Sequence, residues 1–158
     1  IENGKIKGKN YSLYVTGGSV NVSGGTFSSN SGAGMETGTL NISGGKFTGT
    51  GSTCSGFWSS GGTITITGGT FTGISGIWSV GGTYTITGGT FRGHTYDGVS
   101  NRGATIYVNG GNYSGKNWGI YSESGKIYYR RTDSQSSDQG YVSSQGWPAV
   151  YATDLTFY

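Results

Sequence analysis

Short runs in which apolar and polar side chains alternate recur along the chain at nearly constant intervals. Val20-Asn21-Val22, Leu40-Asn41-Ile42, Ile64-Thr65-Ile66, Tyr84-Thr85-Ile86 and Ile106-Tyr107-Val108 each set two apolar residues on one face and a third residue on the other. A sixth run, Ile127-Tyr128-Tyr129, follows them. Period-two alternation rich in β-branched residues predicts half-buried strands rather than helix.

After each of the first five runs comes Gly-Gly, a small or polar residue and an aromatic: Gly24–Phe27, Gly44–Phe47, Gly68–Phe71, Gly88–Phe91 and Gly110–Tyr113. The steps between them are 20, 24, 20 and 22 residues. Repeats this short stack on their neighbours to build a core. Laid over one another, they reveal a third strand, with Leu13, Met35, Phe57, Ile77, Val99 and Ile120 in one column. The expectation is an all-β, single-domain right-handed parallel β-helix (a solenoid) of about six coils, with three short strands per coil and Gly-rich bends.

Column chemistry then sorts inside from outside. The Leu13–Ile120 column is uniformly apolar, as is Phe27–Phe47–Phe71–Phe91–Tyr113, so both are expected to face inward. The neighbouring column, Tyr14, Glu36, Trp58, Trp78, Ser100 and Tyr121, mixes chemistries and is expected to face water. Residues 3–6 resemble a half coil that opens the stack. Beyond Arg131 the pattern dissolves, so the coils are expected over 1–131, with 132–158 as a capping or side-packing tail of the same domain. Trp147 is expected in that cap.

Composition narrows the function classes. Glycine supplies 34 of 158 residues, yet a single proline, Pro148, and no strict Gly-X-Y period exclude collagen. Aromatic residues at 14% against charged residues at 11% argue against disorder. The net charge of +3 is scattered, with only Arg130 and Arg131 adjoining, so no nucleic-acid partner is expected. No stretch has transmembrane length, and no membrane partner is expected. The lone Cys54 forms no internal disulfide. A start at Ile1 with no signal peptide reads as a piece excised from a longer protein, and the wealth of Ser, Thr, Asn, Gly and Tyr reads as secreted.

The aromatic column carries the candidate chemistry. Coils about 4.8 Å apart would present Trp58 and Trp78 as one apolar plate, extended by Tyr14 and Tyr121. The apolar face of a pyranose ring packs on such a plate, and its hydroxyls would find Glu36, Ser100, Asn101, Arg102, Asp97, Tyr96 and Asn117 around it. Trp118, at a bend beside this face, could join. The competing explanation is that the indoles only stabilise coil stacking, but exposed aromatic patches usually mark interaction sites.

A second face, with Thr39, Thr63, Thr83 and Thr105 in line, resembles the flat threonine arrays of β-helical ice-binding proteins. Threonine is also an ordinary exposed strand residue, and Asn41, Tyr107 and Tyr128 break the flatness. Catalysis finds little support, because no two of the seven acids share a column on adjacent coils. His94 stands alone, and neither metal nor cofactor is expected. Asp133 and Asp138 match no known cation loop.

The segments GGTITITGGTFTG and GGTYTITGGTFRG resemble the right-handed parallel β-helix repeat of secreted bacterial proteins, over residues 3–131. A short β-helix bearing the Trp58/Trp78 plate also resembles the β-helical xylan-binding modules appended to xylanases, carbohydrate-binding module family 89. That resemblance implies a non-catalytic, secreted, monomeric module of a multidomain glycoside hydrolase, with xylan or a related β-linked plant glycan as partner. The alternatives are a fragment of a β-helical polysaccharide lyase or hydrolase, or a structural adhesin, tailspike or ice-binding solenoid.

Overall fold

A computed structural model describes residues 1–130, 142–144 and 150–158. The chain forms a parallel β-solenoid of about six turns. In chain order the strands are β1 (Lys5–Gly8), β2 (Leu13–Val22), β3 (Thr26–Ser29), β4 (Ala33–Ile42), β5 (Lys46–Gly49), β6 (Phe57–Ser59), β7 (Thr63–Ile66) and β8 (Thr70–Gly73). They continue as β9 (Ile77–Ser79), β10 (Thr83–Ile86), β11 (Thr90–Gly93), β12 (Val99–Val108), β13 (Asn112–Gly115), β14 (Ile120–Tyr129), β15 (Val142–Ser144), β16 (Val150–Ala152) and β17 (Leu155–Phe157).

One sheet stacks β1, β3, β5, β8, β11, β13 and β15 in sequence order. The other begins with β2 on β4, divides into a β6–β9 ladder and a β7–β10 ladder, and rejoins on β12 and β14. The long strands β2, β4, β12 and β14 therefore follow the path of two short ones, and register shifts between β2 and β4 and between β12 and β14 mark the corner. Three strands per coil is the expected cross-section.

The Gly-Gly-x-aromatic motif has a backbone cause and a packing cause. Its second glycine takes φ of 94° at Gly25, 99° at Gly45, 98° at Gly69 and 104° at Gly89 and Gly111, a region side-chain-bearing residues avoid. The bend aims the aromatic inward. Phe27, Phe47, Phe71, Phe91 and Tyr113 then form one continuous stack, with centroid spacings of 4.7, 4.9, 5.1 and 4.9 Å. All five are essentially without solvent contact.

A polar column also lies inside. Ser59, Ser79, Asn101 and Ser122 are register partners on successive coils, and all are buried. The Ser59 hydroxyl meets the Tyr84 hydroxyl, and the Ser79 hydroxyl donates to Asn101 Oδ1 at 3.1 Å. Buried polar groups need such partners.

One expectation is corrected by the register. Leu13 aligns with Ala33 and then Phe57, not with Met35; Met35 instead pairs with Val15 and Ser59. The bend glycine of this coil is Gly32, with φ of 72°. A slip of two residues preserves parity, so Met35 stays in the core. At the other end, β16 and β17 continue the stack, pairing in parallel with β14 as Ile120↔Val150 and Ile127↔Leu155. Residues 131–141 and 145–149, with Asp133, Asp138 and Trp147, lie outside the described residues.

Candidate functional site

The strands β6 and β9 read apolar-Trp-Ser. Their first and third side chains enter the core, which turns Trp58 and Trp78 outward, each half-buried. The outward column runs Tyr14, Gly34, Trp58, Trp78, Ser100, Tyr121 and Tyr151. The expected parity holds for both indoles. Glu36, expected in this column, is displaced from it: it sits in the bulge between Met35 and Thr37, where β2 has no partner for it. It still reaches the face, because its carboxylate accepts a hydrogen bond from the Tyr14 hydroxyl. That hydrogen bond is the first cause of a Tyr14 pKa pushed up to about 12.

Two positions of the column carry no large side chain, and neighbours fill both. Over Gly34 lie the stacked rings of Tyr11 and Tyr14, 4.5 Å apart. A Cβ at Gly34 would stand 3.0 Å from Tyr14 and 3.1 Å from Tyr11, so glycine leaves the room the rings occupy. Over Ser100 lies the guanidinium of Arg102, 4.9 Å from the Trp78 ring centre and 5.6 Å from that of Tyr121. Glu123 holds Arg102 there through an ion pair. Beyond it, Tyr121 stacks on Tyr151 at 5.3 Å, with Trp118 tilted against Tyr151 at 5.2 Å. The result is a row of aromatic register positions in which the Arg102 guanidinium fills the gap between Trp78 and Tyr121.

The bends between the two sheets form the facing wall. The bends that lead into the aromatic strands include 30–32, 50–56, 74–76, 94–98 and 116–119, and they stack by backbone hydrogen bonds. The Ile74 amide donates to the Cys54 carbonyl at 2.9 Å, the Tyr96 amide to the Ile74 carbonyl at 2.8 Å, and the Asn117 amide to the Tyr96 carbonyl at 3.1 Å. Between ladder and bends lie two clefts. One, of 440 Å³, is lined by Tyr11, Cys54, Trp58, Ile74, Trp78 and Tyr96 among others. The second, of 370 Å³, is lined by Trp78, Tyr96, Asp97, Ser100, Arg102, Asn117, Trp118 and Tyr121.

Asp97 is the chemically unusual group. The residue just before the bend glycine is Ser31, Ser55, Ser75, Asp97 and Trp118 in successive coils, aligned through bonds such as the Gly76 amide to the Asp97 carbonyl, 3.2 Å. Asp97 thus puts a carboxylate where earlier coils have a hydroxyl, only 4% exposed. Its Oδ2 accepts the Ser100 hydroxyl, while buried Oδ1 has no hydrogen-bond partner. Burial pushes its pKa up; the Ser100 hydrogen bond, the Trp118 backbone amide and the Arg102 charge pull the other way.

Of the residues anticipated from sequence, Trp78, Tyr96, Asp97, Ser100, Arg102, Asn117, Trp118 and Tyr121 meet in one cleft, and Trp58 lines its neighbour. Asn101 does not belong to the face. It points inward, donating to the Ala104 carbonyl at 3.0 Å and Ser122 at 3.1 Å, and accepting from the Ala104 amide at 2.8 Å. Its amide closes a corner and has nothing left for a ligand. Tyr11, Tyr151 and Glu123 were missed; the signal for Tyr11 was the hole that Gly34 leaves beside it. Among the described residues no group of three or more His, Cys, Asp or Glu side chains could hold a metal. Set against family models, curated proteins and solved structures, the chain has no match in any of the three comparisons.

Proposed function

We propose that this chain is a non-catalytic carbohydrate-binding module that grips a β-linked plant polysaccharide, with xylan as the leading ligand. The observation that carries the reading is the outward column of Tyr14, Trp58, Trp78 and Tyr121, in register on their coils, with the Arg102 guanidinium lying between Trp78 and Tyr121 and polar bends alongside. Register positions repeating at the inter-strand spacing of about 4.8 Å are close to the advance of one sugar along an extended chain. Sugar C–H faces pack on indole and phenol rings, and Asp97, Asn117 and Arg102 offer acceptors and donors to hydroxyls. Xylose lacks an exocyclic hydroxymethyl group, so its ring face lies open to flat contact with side chains such as Trp78 and Tyr96, which line both clefts. A solenoid fixes all these groups before binding, which keeps the ordering cost low. The natural setting of such a module is a secreted glycoside hydrolase, which it would hold on its substrate.

Affinity electrophoresis in gels containing xylan, mixed-linkage glucan or pectin tests the reading. The chain should be retarded by xylan, and Trp58→Ala and Trp78→Ala should each abolish retardation with an unchanged far-UV spectrum. Full retardation of both variants would refute the site. Release of reducing ends or unsaturated products from the same polysaccharides would favour the enzyme alternative instead.

A further inference from the structure

The lengths of the bends say how a ligand lies. Three of the bends that face the aromatic ladder have three or four residues, at 30–32, 74–76 and 116–119, whereas 50–56 and 94–98 have seven and five. The irregular steps of the repeat, 24 and 22 residues against 20, arise at these two places. The longer bends lie one coil before and one coil after the short bend at Ile74, and residues of all three line the first cleft. The second cleft is lined by the next bend, and Trp78 and Tyr96 line both, so the two hollows adjoin at those residues. Each wall is a stack of register partners one coil apart, so the long direction of the combined groove is the stacking direction of the coils.

Resting on the glycan reading above, we infer that the polysaccharide lies parallel to the solenoid axis and threads both clefts past Trp78 and Tyr96. The two clefts are then distinct subsites. The first is mainly apolar, with Trp58, Ile74 and Trp78 against sugar faces. The second adds Asp97, Arg102 and Asn117 and takes hydroxyls. The register positions Trp58, Trp78, Ser100 and Tyr121 span three coil steps, or about 14 Å, enough for about four consecutive sugars. A chain lying across the coils would cover one of these positions and touch only one cleft.

Calorimetric titration with linear β-1,4-xylo-oligosaccharides of two to six units tests this, using the full chain and the Trp58→Ala and Trp118→Ala variants, which alter opposite ends of the groove. Affinity should climb through about the tetramer and then level off. Each variant should lose about tenfold on the hexamer, and both should flatten the length dependence. Affinity that is already maximal at the disaccharide, with Trp118→Ala binding the hexamer like the parent, would overturn the axial arrangement and leave xylan binding standing. No measurable binding of the hexamer to the parent chain would overturn both.

Discussion

At the scale of single residues, the site is built by substitutions within otherwise regular columns. Ser100 interrupts the rings, and Arg102 stacks into the gap; Gly34 interrupts them again, and Tyr11 folds over it. Asp97 interrupts a serine column with a buried charge, and that charge has a measurable signature. Its pKa is raised above the ordinary 3.8, with burial as the largest cause. A carboxyl that holds its proton more tightly in the folded state contributes stability at acid pH that is lost as the pH rises from the unfolded value of 3.8 through the raised pKa. Asp97→Asn removes that titration while its amide oxygen can still accept from Ser100. The variant should melt above the parent at neutral pH, and the gap should close as pH falls through the raised pKa toward 3.8. Thermal melts of both proteins from about pH 4 to about pH 8 decide it; a variant no more stable at neutral pH means the buried charge is not a cost.

At the scale of strands and bends, sequence and structure agree wherever one residue type answers one geometric demand. Gly-Gly-x-aromatic was legible because only glycine meets the positive φ and only a flat ring continues the stack from Phe27 to Tyr113. Gly69→Ala should therefore be costly: φ is +98°, and an added Cβ would stand 3.2 Å from the Gly45 carbonyl oxygen. Strain in this region costs of order 1–3 kcal/mol, readable as a lowered denaturation midpoint with the same final unfolded signal. A midpoint equal to the parent's would show that the bend tolerates a side chain. Legibility failed where two residues satisfied the same rule. Gly32 and Gly34 each precede an apolar residue of the same parity, so the column test accepted Met35 where Ala33 belongs. Asn101 was misassigned for a related reason: an amide beside a surface column looks like a ligand contact, while its inward corner depends on a register shift between β12 and β14 that no local pattern displays.

At the scale of the whole molecule, a solenoid separates the demands of folding from those of binding. Each coil rests on its two neighbours through three parallel ladders, so stability is close to a sum of coil and interface contributions. The bends facing the aromatic ladder can vary in length without disturbing those ladders, and the chain varies them at 50–56 and 94–98. This gives the deviations of the repeat a meaning that the repeat itself does not have. Removing Gly51–Cys54 would join Thr50 to Ser55-Gly56, recreating the three-residue form found as Asn30-Ser31-Gly32 and Ile74-Ser75-Gly76. The Ser55 and Gly56 backbone would keep its place, since the Gly56 amide already donates to the Ser75 carbonyl at 3.1 Å, and the Ile74 amide would find the Thr50 carbonyl in place of Cys54. Shortening a seven-residue bend to three lowers the closure entropy by about 0.7 kcal/mol, equivalent to a melting temperature higher by about 2 °C. The first cleft would meanwhile lose the wall that Ser52, Thr53 and Cys54 supply. The shortened chain should thus be at least as stable as the parent and much weaker on xylan gels. Unfolding of the variant would mean that the long bend supports the coils; retention equal to the parent's would mean that it does not shape the site.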